Sequence, residues 1–156
     1  MLKAGDKAPE WNVVDQNGNV QTLQPYRGRK VFLYFYPKAD TPGCTQQSCL
    51  LRDLIVGGKI GDVFVIGASP DKAAKQKKFD LKHELGFPLL ADVEHQVAES
   101  YGVWKEKMLY GRKYMGIERS AFLLNEEGMV QNAWYKISPK DTPTVLLGTI
   151  GRKVEK

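Results

Sequence analysis

The fold is decided by the stretch VFLYFYPKADTPGCTQQSC at residues 31–49. Its first six residues are aliphatic or aromatic without a polar interruption, which is typical of a central strand buried on both faces. Pro37 ends this strand, and Thr41 stands where it can cap a helix that has Pro42 at its first position. The stretch therefore predicts a buried strand, a short loop and a helix that continues to about Val56.

Two cysteines lie in the predicted helix, Cys44 in its first turn and Cys49 five positions later. A helix N-terminus carries partial positive charge and unpaired N–H groups, which favour a thiolate and offer donors to a developing anion. A buried, inert thiol is the alternative for Cys44. Five helical positions separate Cα atoms by roughly 8.7 Å, whereas a disulfide needs about 4.4–6.8 Å. A bond between the two cysteines therefore requires local unwinding of the helix.

Further strands and helices alternate around this segment, as judged from apolar periodicity and from the Gly, Pro, Asn and Asp breakers. Residues 103–118 show no clear period. The predicted elements are an N-terminal hairpin (11–14 and 20–23), a strand (63–68), a basic helix capped by Ser69 with Pro70 at its first position and ending near Leu85, a short extended piece (87–90), a helix carrying Val93, Val97 and Tyr101, a hairpin (119–124 and 129–135), and a terminal helix that begins at Asp141 and is weakened by Gly148 and Gly151.

This order of elements predicts an α/β protein with a thioredoxin-like fold, in which helices flank a central mixed β-sheet and an N-terminal β-hairpin precedes it. A length of 156 residues fits one domain, and we expect residues 1–156 to form it. No apolar run approaches the roughly 20 residues that span a bilayer, so membrane insertion is not expected.

The N-terminal residues show no secretory or organelle signal, which predicts a cytoplasmic protein. In a reducing compartment, a lone pair of cysteines is more often catalytic or free than a permanent bridge. Only two histidines occur, His83 and His95, in separate segments, which argues against zinc. We expect neither a metal nor a cofactor.

The chain is basic, with a net charge of +5, and its densest positive stretch lies within residues 72–82. One interpretation is a nucleic-acid patch. The other is an ordinary solvated helix face, which we favour because the lysines lack interleaved aromatic residues and a recognisable motif. We therefore expect neither nucleic acid nor a membrane as a partner. The lysines concerned are Lys72, Lys75, Lys77, Lys78 and Lys82.

The segment YFYPKADTPGCT at residues 34–45 resembles the active-site signature of the peroxiredoxins, with a proline, a threonine and a cysteine in this spacing. The second cysteine, Cys49, is similar to that of the branch called bacterioferritin comigratory protein or peroxiredoxin Q. The resemblance continues through residues 3–9, 102–104 and 119–122, and so covers nearly the whole chain.

The resemblance implies a role for each site residue. Cys44 would be the peroxidatic cysteine, which becomes a sulfenic acid, and Cys49 the resolving cysteine. Thr41 would hydrogen-bond the thiolate and the peroxide, Arg119 would hold the thiolate and polarise the peroxide, and Pro37 would shield the centre from water. Without the motif, the favoured interpretations are a helix cap for Thr41, a strand terminator for Pro37 and a surface arginine for Arg119.

The resemblance also implies a function: reduction of hydrogen peroxide and organic hydroperoxides through an intramolecular Cys44–Cys49 disulfide. The disulfide would be reduced by a dithiol donor, thioredoxin above all. We expect a monomer, because the chain shows no C-terminal extension carrying another cysteine. Gln47 occupies a position that is often acidic in this family.

Two other functions remain as alternatives. A thiol-disulfide oxidoreductase or a glutathione-peroxidase-like protein can share the fold. The Cys44–Cys49 spacing opposes the first, since it is not Cys-x-x-Cys, and Thr41 with Arg119 opposes the second. A nucleic-acid-binding module is suggested by the positive charge alone.

Overall fold

In a computed structural model of the chain, residues 1–149 are described. Gly151, predicted to weaken the terminal helix, lies outside them. A short 3-10 helix, Gln24–Tyr26, precedes β3. The other elements are β1 (Asn12–Val14), β2 (Val20–Thr22), β3 (Val31–Phe35), α1 (Pro42–Val56), β4 (Phe64–Ser69), α2 (Ala73–His83), β5 (Leu89–Ala91), α3 (Gln96–Ser100), β6 (Trp104–Leu109), β7 (Arg112–Ile117), β8 (Ser120–Leu124), β9 (Val130–Trp134) and α4 (Asp141–Thr149).

The central sheet has five strands in the order β5-β4-β3-β8-β9. β3 pairs in parallel with β4 and antiparallel with β8, so the sheet is mixed, as predicted. Every residue of β3 and β8 is buried. In the antiparallel pair, Phe35 at the end of β3 lies opposite Ser120 at the start of β8. The loop after β3 and the residue before β8 therefore meet at the same end of these two inner strands.

A hydrophobic cluster lies on each face of the sheet, because side chains of a strand alternate between its two faces. From β3, Leu33 and Phe35 enter one cluster. Phe32 and Tyr34 enter the other, which also contains Cys44 of α1. Cys44 is therefore packed between α1 and the sheet, in a closely packed cluster.

The predicted N-terminal hairpin is present as β1 and β2, which pair antiparallel. The turn between them is held by the Asp15 carboxylate, which accepts N–H bonds from Asn17 and Asn19. The predicted pair of strands after Arg119 is also present, as β8 and β9. Within residues 1–149, no helix is long and apolar enough to cross a membrane.

Two helices begin later than predicted. Ser69 does not cap α2: it is the last residue of β4, and its hydroxyl donates to the Asp71 carboxylate at 2.7 Å. Val93 precedes α3 and is exposed. The Asp92 carboxylate accepts the N–H groups of Val97 and Ala98, which starts the helix beyond Val93.

The hairpin of β6 and β7 was not predicted from the sequence. Most of its residues are exposed, so no alternation of buried and exposed positions marks the strands. Its turn, Tyr110-Gly111, has positive φ at both residues, 51° and 75°. A hairpin turn with this backbone normally carries Asn-Gly or Asp-Gly, and tyrosine in the first position hides the signal.

Candidate active site

Cys44 is the third residue of α1 and is only 1 % exposed. Thr41 precedes the helix with extended backbone angles, and Pro42 occupies the first helical position, as predicted. The first turn of a helix has N–H groups without intrahelical acceptors, and here these belong to Gly43 and Cys44. They give the space around the sulfur a positive character.

Arg119 directly precedes β8, and its side chain reaches Cys44 at the end of the strands where β3 stops. Its Nη2 donates to Cys44 Sγ at 3.4 Å, and its Nη1 donates to Gln47 Oε1 at 2.7 Å. The structure therefore brings together the cysteine and the arginine that were predicted to act together. The same arginine also binds α1 one turn further along.

Gln47 connects Arg119 to the C-terminal helix. Its Nε2 donates to Thr142 Oγ1 at 2.8 Å, and the Thr142 hydroxyl donates to the Ser138 carbonyl oxygen at 2.8 Å. The sequence pattern assigned no role to Gln47 and did not indicate Thr142. Gln47 and Thr142 are 95 positions apart, and no local pattern links them.

The side chain of Thr41 does not cap the helix, contrary to the prediction. It makes no capping hydrogen bond, and its Oγ1 instead donates to the Lys38 carbonyl oxygen at 2.8 Å. The Thr41 carbonyl oxygen accepts the Thr45 N–H and so closes the first helical turn. Because the hydroxyl proton is engaged, the lone pairs of Oγ1 remain to accept a hydrogen bond.

The loop before the helix is tied to α2. The Ala39 N–H donates to the Asp71 carboxylate at 2.6 Å. Asp40 adopts a left-handed φ of 64°, and its carboxylate contacts Lys82 at 3.1 Å and the His83 ring at 3.2 Å. These hydrogen bonds lower the pKa of Asp40, those from His83 most and those from Lys82 next. Neighbouring Pro37 is half-buried just beyond β3.

Cys49 lies in the same unbroken helix as Cys44 and is partly exposed. Both thiols are free. Five helical positions place them roughly 8.7 Å apart at Cα and about 140° apart around the axis. The predicted helix through both cysteines is confirmed, and ideal helix geometry makes them too distant for a bond.

A buried pair of hydroxyls lies between α1 and the central sheet. Tyr34 of β3 and Ser48 of α1 are 2.7 Å apart at their oxygens, and both are fully buried. Burial raises the pKa of Tyr34, so the phenol stays neutral. Ser48 directly precedes Cys49. The Tyr34–Ser48 hydrogen bond therefore holds the part of α1 that carries Cys49 against β3.

The β6–β7 hairpin stands beside the site, because Ile117 ends β7 two residues before Arg119. Lys107 of β6 is partly buried there. Burial lowers its pKa, and so does the neighbouring Arg119, whereas Glu118 and Cys44 act in the opposite direction. The positive charge around the sulfur therefore has contributions from the hairpin as well as from α1 and Arg119.

The basic stretch lies in and around α2, and several of its lysines bind groups of the chain itself. Lys75 pairs with Asp71 at 3.4 Å, Lys82 with Asp40 at 3.1 Å, and Lys77 with the Asn17 side chain. These contacts are those of a solvated helix face.

Comparison with known proteins gives relatives for most of the chain. Residues 4–133 match the model of the AhpC/TSA family. Over 155 residues, the chain is 43% identical to peroxiredoxin Bcp of Bacillus subtilis, covering 99% of both proteins. Over 133 residues, it is 46% identical to peroxiredoxin Bcp of Escherichia coli K12, covering 85% of each.

Solved structures of peroxiredoxin Q proteins also resemble this chain. A cysteine-to-serine mutant of Xanthomonas campestris peroxiredoxin Q is 31% identical, with a TM-score of 0.87 over 96% of this chain and 98% of that one. A cysteine-to-serine mutant of Xylella fastidiosa PrxQ is 26% identical, with a TM-score of 0.89 over 96% of each chain. The predicted thioredoxin-like architecture is confirmed by these likenesses.

Proposed function

Because this chain belongs to the AhpC/TSA family, as a thiol-dependent peroxidase of the Bcp or peroxiredoxin Q type, we propose that Cys44 is its peroxidatic cysteine and Cys49 its resolving cysteine. The observation that carries this assignment is the 3.4 Å hydrogen bond from Arg119 to Cys44 Sγ in the first turn of α1. A cation and a helix N-terminus acting on one sulfur favour the thiolate, which is the reactive form.

In the first step, the Cys44 thiolate attacks one oxygen of the hydroperoxide. An S–O bond forms as the O–O bond breaks, the sulfur is oxidised to a sulfenic acid, and the leaving oxygen takes a proton to depart as water or alcohol. Arg119 and the N–H groups of Gly43 and Cys44 stabilise negative charge on the reacting atoms. Thr41 Oγ1 accepts a hydrogen bond from the peroxide O–H, and Pro37 shields the centre from water.

In the second step, the first turns of α1 unwind and Cys49 attacks the sulfenic sulfur. The S–O bond breaks, an S–S bond forms within the chain, and the oxygen leaves as water. The continuous helix from Pro42 to Val56 supports this order, because the two sulfurs cannot bond while it is intact. The bond needs no second copy of the chain, which agrees with the monomer of one domain that we propose.

In the third step, an external dithiol reduces the disulfide, and thioredoxin is the donor that this type of peroxidase implies. A cycle that returns to two free thiols belongs in a reducing compartment, the cytoplasm. The substrates are hydrogen peroxide and organic hydroperoxides. Support for the latter comes from Xanthomonas campestris bacterioferritin comigratory protein, 31% identical over 90% of this chain, which is described as having alkyl peroxide reduction activity.

The cysteine assignment is tested by single-turnover oxidation followed by mass analysis. We expect Cys44→Ser to abolish peroxide-dependent oxidation of a dithiol, and Cys49→Ser to leave a sulfenic acid that a dimedone-type reagent traps. Wild-type protein should give a Cys44–Cys49 link instead. Unchanged turnover with thioredoxin in Cys49→Ser, with no trapped adduct, would exclude Cys49 as the resolving residue.

The role of Arg119 is tested separately with Arg119→Ala and Arg119→Lys. Lysine keeps the charge but cannot bind Cys44 and Gln47 with two nitrogens at once. We expect the peroxide reaction to slow in both, by about 100-fold or more in Arg119→Ala. A peroxide rate equal to that of wild type in both variants would remove Arg119 from the site.

A further inference from the structure

A chain of directed hydrogen bonds runs from the reactive sulfur to the C-terminal helix. Arg119 Nη2 donates to Cys44 Sγ, and its Nη1 donates to Gln47 Oε1. Gln47 Nε2 donates to Thr142 Oγ1, which in turn donates to the Ser138 carbonyl oxygen. The Gln47 and Thr142 side chains belong to residues that are fully buried, so water cannot replace a missing partner easily.

The direction of every bond follows from what each group can donate. A backbone carbonyl oxygen only accepts, so the Thr142 hydroxyl gives its one proton to Ser138 and must accept from Gln47. The Gln47 amide then turns its NH₂ toward Thr142 and its oxygen toward Arg119. Reversed, the amide would face the guanidinium with its own donors, leaving both groups unpaired at that contact.

We propose that Thr142 is a positioning residue for the peroxidase reaction, setting the orientation of Arg119 through the Gln47 amide. This inference rests on the proposed roles of Cys44 and Arg119. The Thr142 hydroxyl binds Gln47 and Ser138, not the sulfur. It acts because α4 fixes its hydroxyl, which fixes the amide and hence the guanidinium.

The same link opposes the unwinding that disulfide formation requires. Gln47 lies between Cys44 and Cys49 in α1, so unwinding of this segment pulls its amide away from Thr142 and Arg119. Loss of the Thr142 hydroxyl should therefore affect two steps in opposite directions. Sulfenic acid formation becomes slower because Arg119 is less well aimed, and disulfide formation becomes faster because the folded helix is held less firmly.

The test compares Thr142→Val with Thr142→Ser in stopped-flow and quenched-flow oxidation by hydrogen peroxide. Valine has nearly the shape of threonine without the hydroxyl, and serine retains it. We expect Thr142→Val to lower the rate constant of sulfenic acid formation about tenfold, as loss of one hydrogen bond to a buried group allows, and to raise the rate of disulfide formation. Thr142→Ser should lie within about twofold of wild type for both steps.

Thr149→Val is the matched control on the same helix, because its hydroxyl donates only to the Leu146 carbonyl oxygen. Both rates should equal those of wild type. If Thr142→Val does not fold, Gln47→Leu removes the link without leaving an unpaired amide and should change the two rates in the same opposite directions.

Equal rates in Thr142→Val and wild type would overturn the inference, as would a fall in both rates or a Thr142→Ser variant as slow as Thr142→Val. Failure of the proposed function would look different, because wild-type protein would then form no sulfenic acid at Cys44.

Discussion

Arg119 and Gln47 meet in a hydrogen bond of 2.7 Å that joins a charged guanidinium to a neutral amide. The other nitrogen of the guanidinium fork faces Cys44 Sγ. A carboxylate in place of the amide would pair with the guanidinium and reduce its effect on the sulfur. The neutral partner orients Arg119 while leaving its charge available to the thiolate.

Although the position is often acidic in this family, Gln47→Glu should weaken the site of this chain, where the amide also donates to Thr142. The introduced carboxylate attracts Arg119, repels the thiolate and no longer donates to Thr142. We expect a peroxide reaction about tenfold slower, measured by stopped-flow oxidation with hydrogen peroxide. Gln46→Glu is the matched control, because Gln46 is the exposed neighbour of Gln47. Equal effects of the two variants would contradict this explanation.

Gly43→Ala should disturb the arginine with little effect on the fold. A Cβ on Gly43 would lie 3.2 Å from Arg119 Nη2 and 3.6 Å from Pro139 Cγ, so the guanidinium must shift by a few tenths of an ångström. We expect a slower peroxide reaction and an undiminished free energy of unfolding, because alanine suits a helix better than glycine. Stopped-flow kinetics and urea unfolding measure the two quantities.

Gly148→Ala in α4 is the control for that variant. Among residues 1–149, a Cβ there meets nothing within 4 Å, so helix propensity alone should stabilise the protein, by about 1 kcal/mol, with unchanged kinetics. A Gly43→Ala enzyme as fast as Gly148→Ala would show that the close approach to Arg119 has no effect on the reaction.

The hydroxyl pair of Tyr34 and Ser48 should matter for both stability and disulfide formation. Ser48→Ala leaves the buried phenol without its partner, which costs about 1–3 kcal/mol. Disulfide formation should become faster, since Ser48 adjoins Cys49. In the double variant with Tyr34→Phe, no phenol is left unpaired, so part of the lost stability should return. Urea unfolding of the two single variants and the double variant gives a double-mutant cycle. Purely additive losses in the free energy of unfolding would show that the two hydroxyls are not coupled.

Asp40 should make a pH-dependent contribution to stability. Hydrogen bonds from His83 and Lys82 lower its pKa below the ordinary value of 3.8. A lowered folded-state pKa stabilises the protein above the ordinary value, and this contribution is lost as the pH falls through the lowered one. Wild type should therefore exceed Asp40→Asn in stability near neutral pH, and the difference should vanish at acid pH below both values.

Asparagine tolerates the left-handed backbone of position 40 as aspartate does, so the substitution tests the charge rather than the turn. Unfolding midpoints at several pH values measure the difference. Asp62→Asn, at an exposed position, serves as the comparison. If wild type and Asp40→Asn differ in stability by the same amount at every pH, the charge of Asp40 is not the cause of the difference.

Parts of the fold that depend on local sequence were predicted well, and parts that depend on distant partners were not. The apolar run of β3 and the proline after Thr41 identified the strand and the helix start. The exposed β6–β7 hairpin was not predicted because its strands lack an alternation of buried and exposed residues. Ser69 was misread as a cap because its hydroxyl binds the Asp71 carboxylate instead.

The sequence by itself determined that Cys44 begins a helix and that Cys49 lies too far along it to bond, since helix geometry follows from local spacing. A family resemblance pointed to Arg119. Only the tertiary structure decided what Arg119 touches, because 75 positions separate it from Cys44 and the antiparallel pairing of β3 with β8 brings them together. The link through Gln47 to Thr142 depends equally on the packing of α4 against α1, for which no local sequence pattern codes.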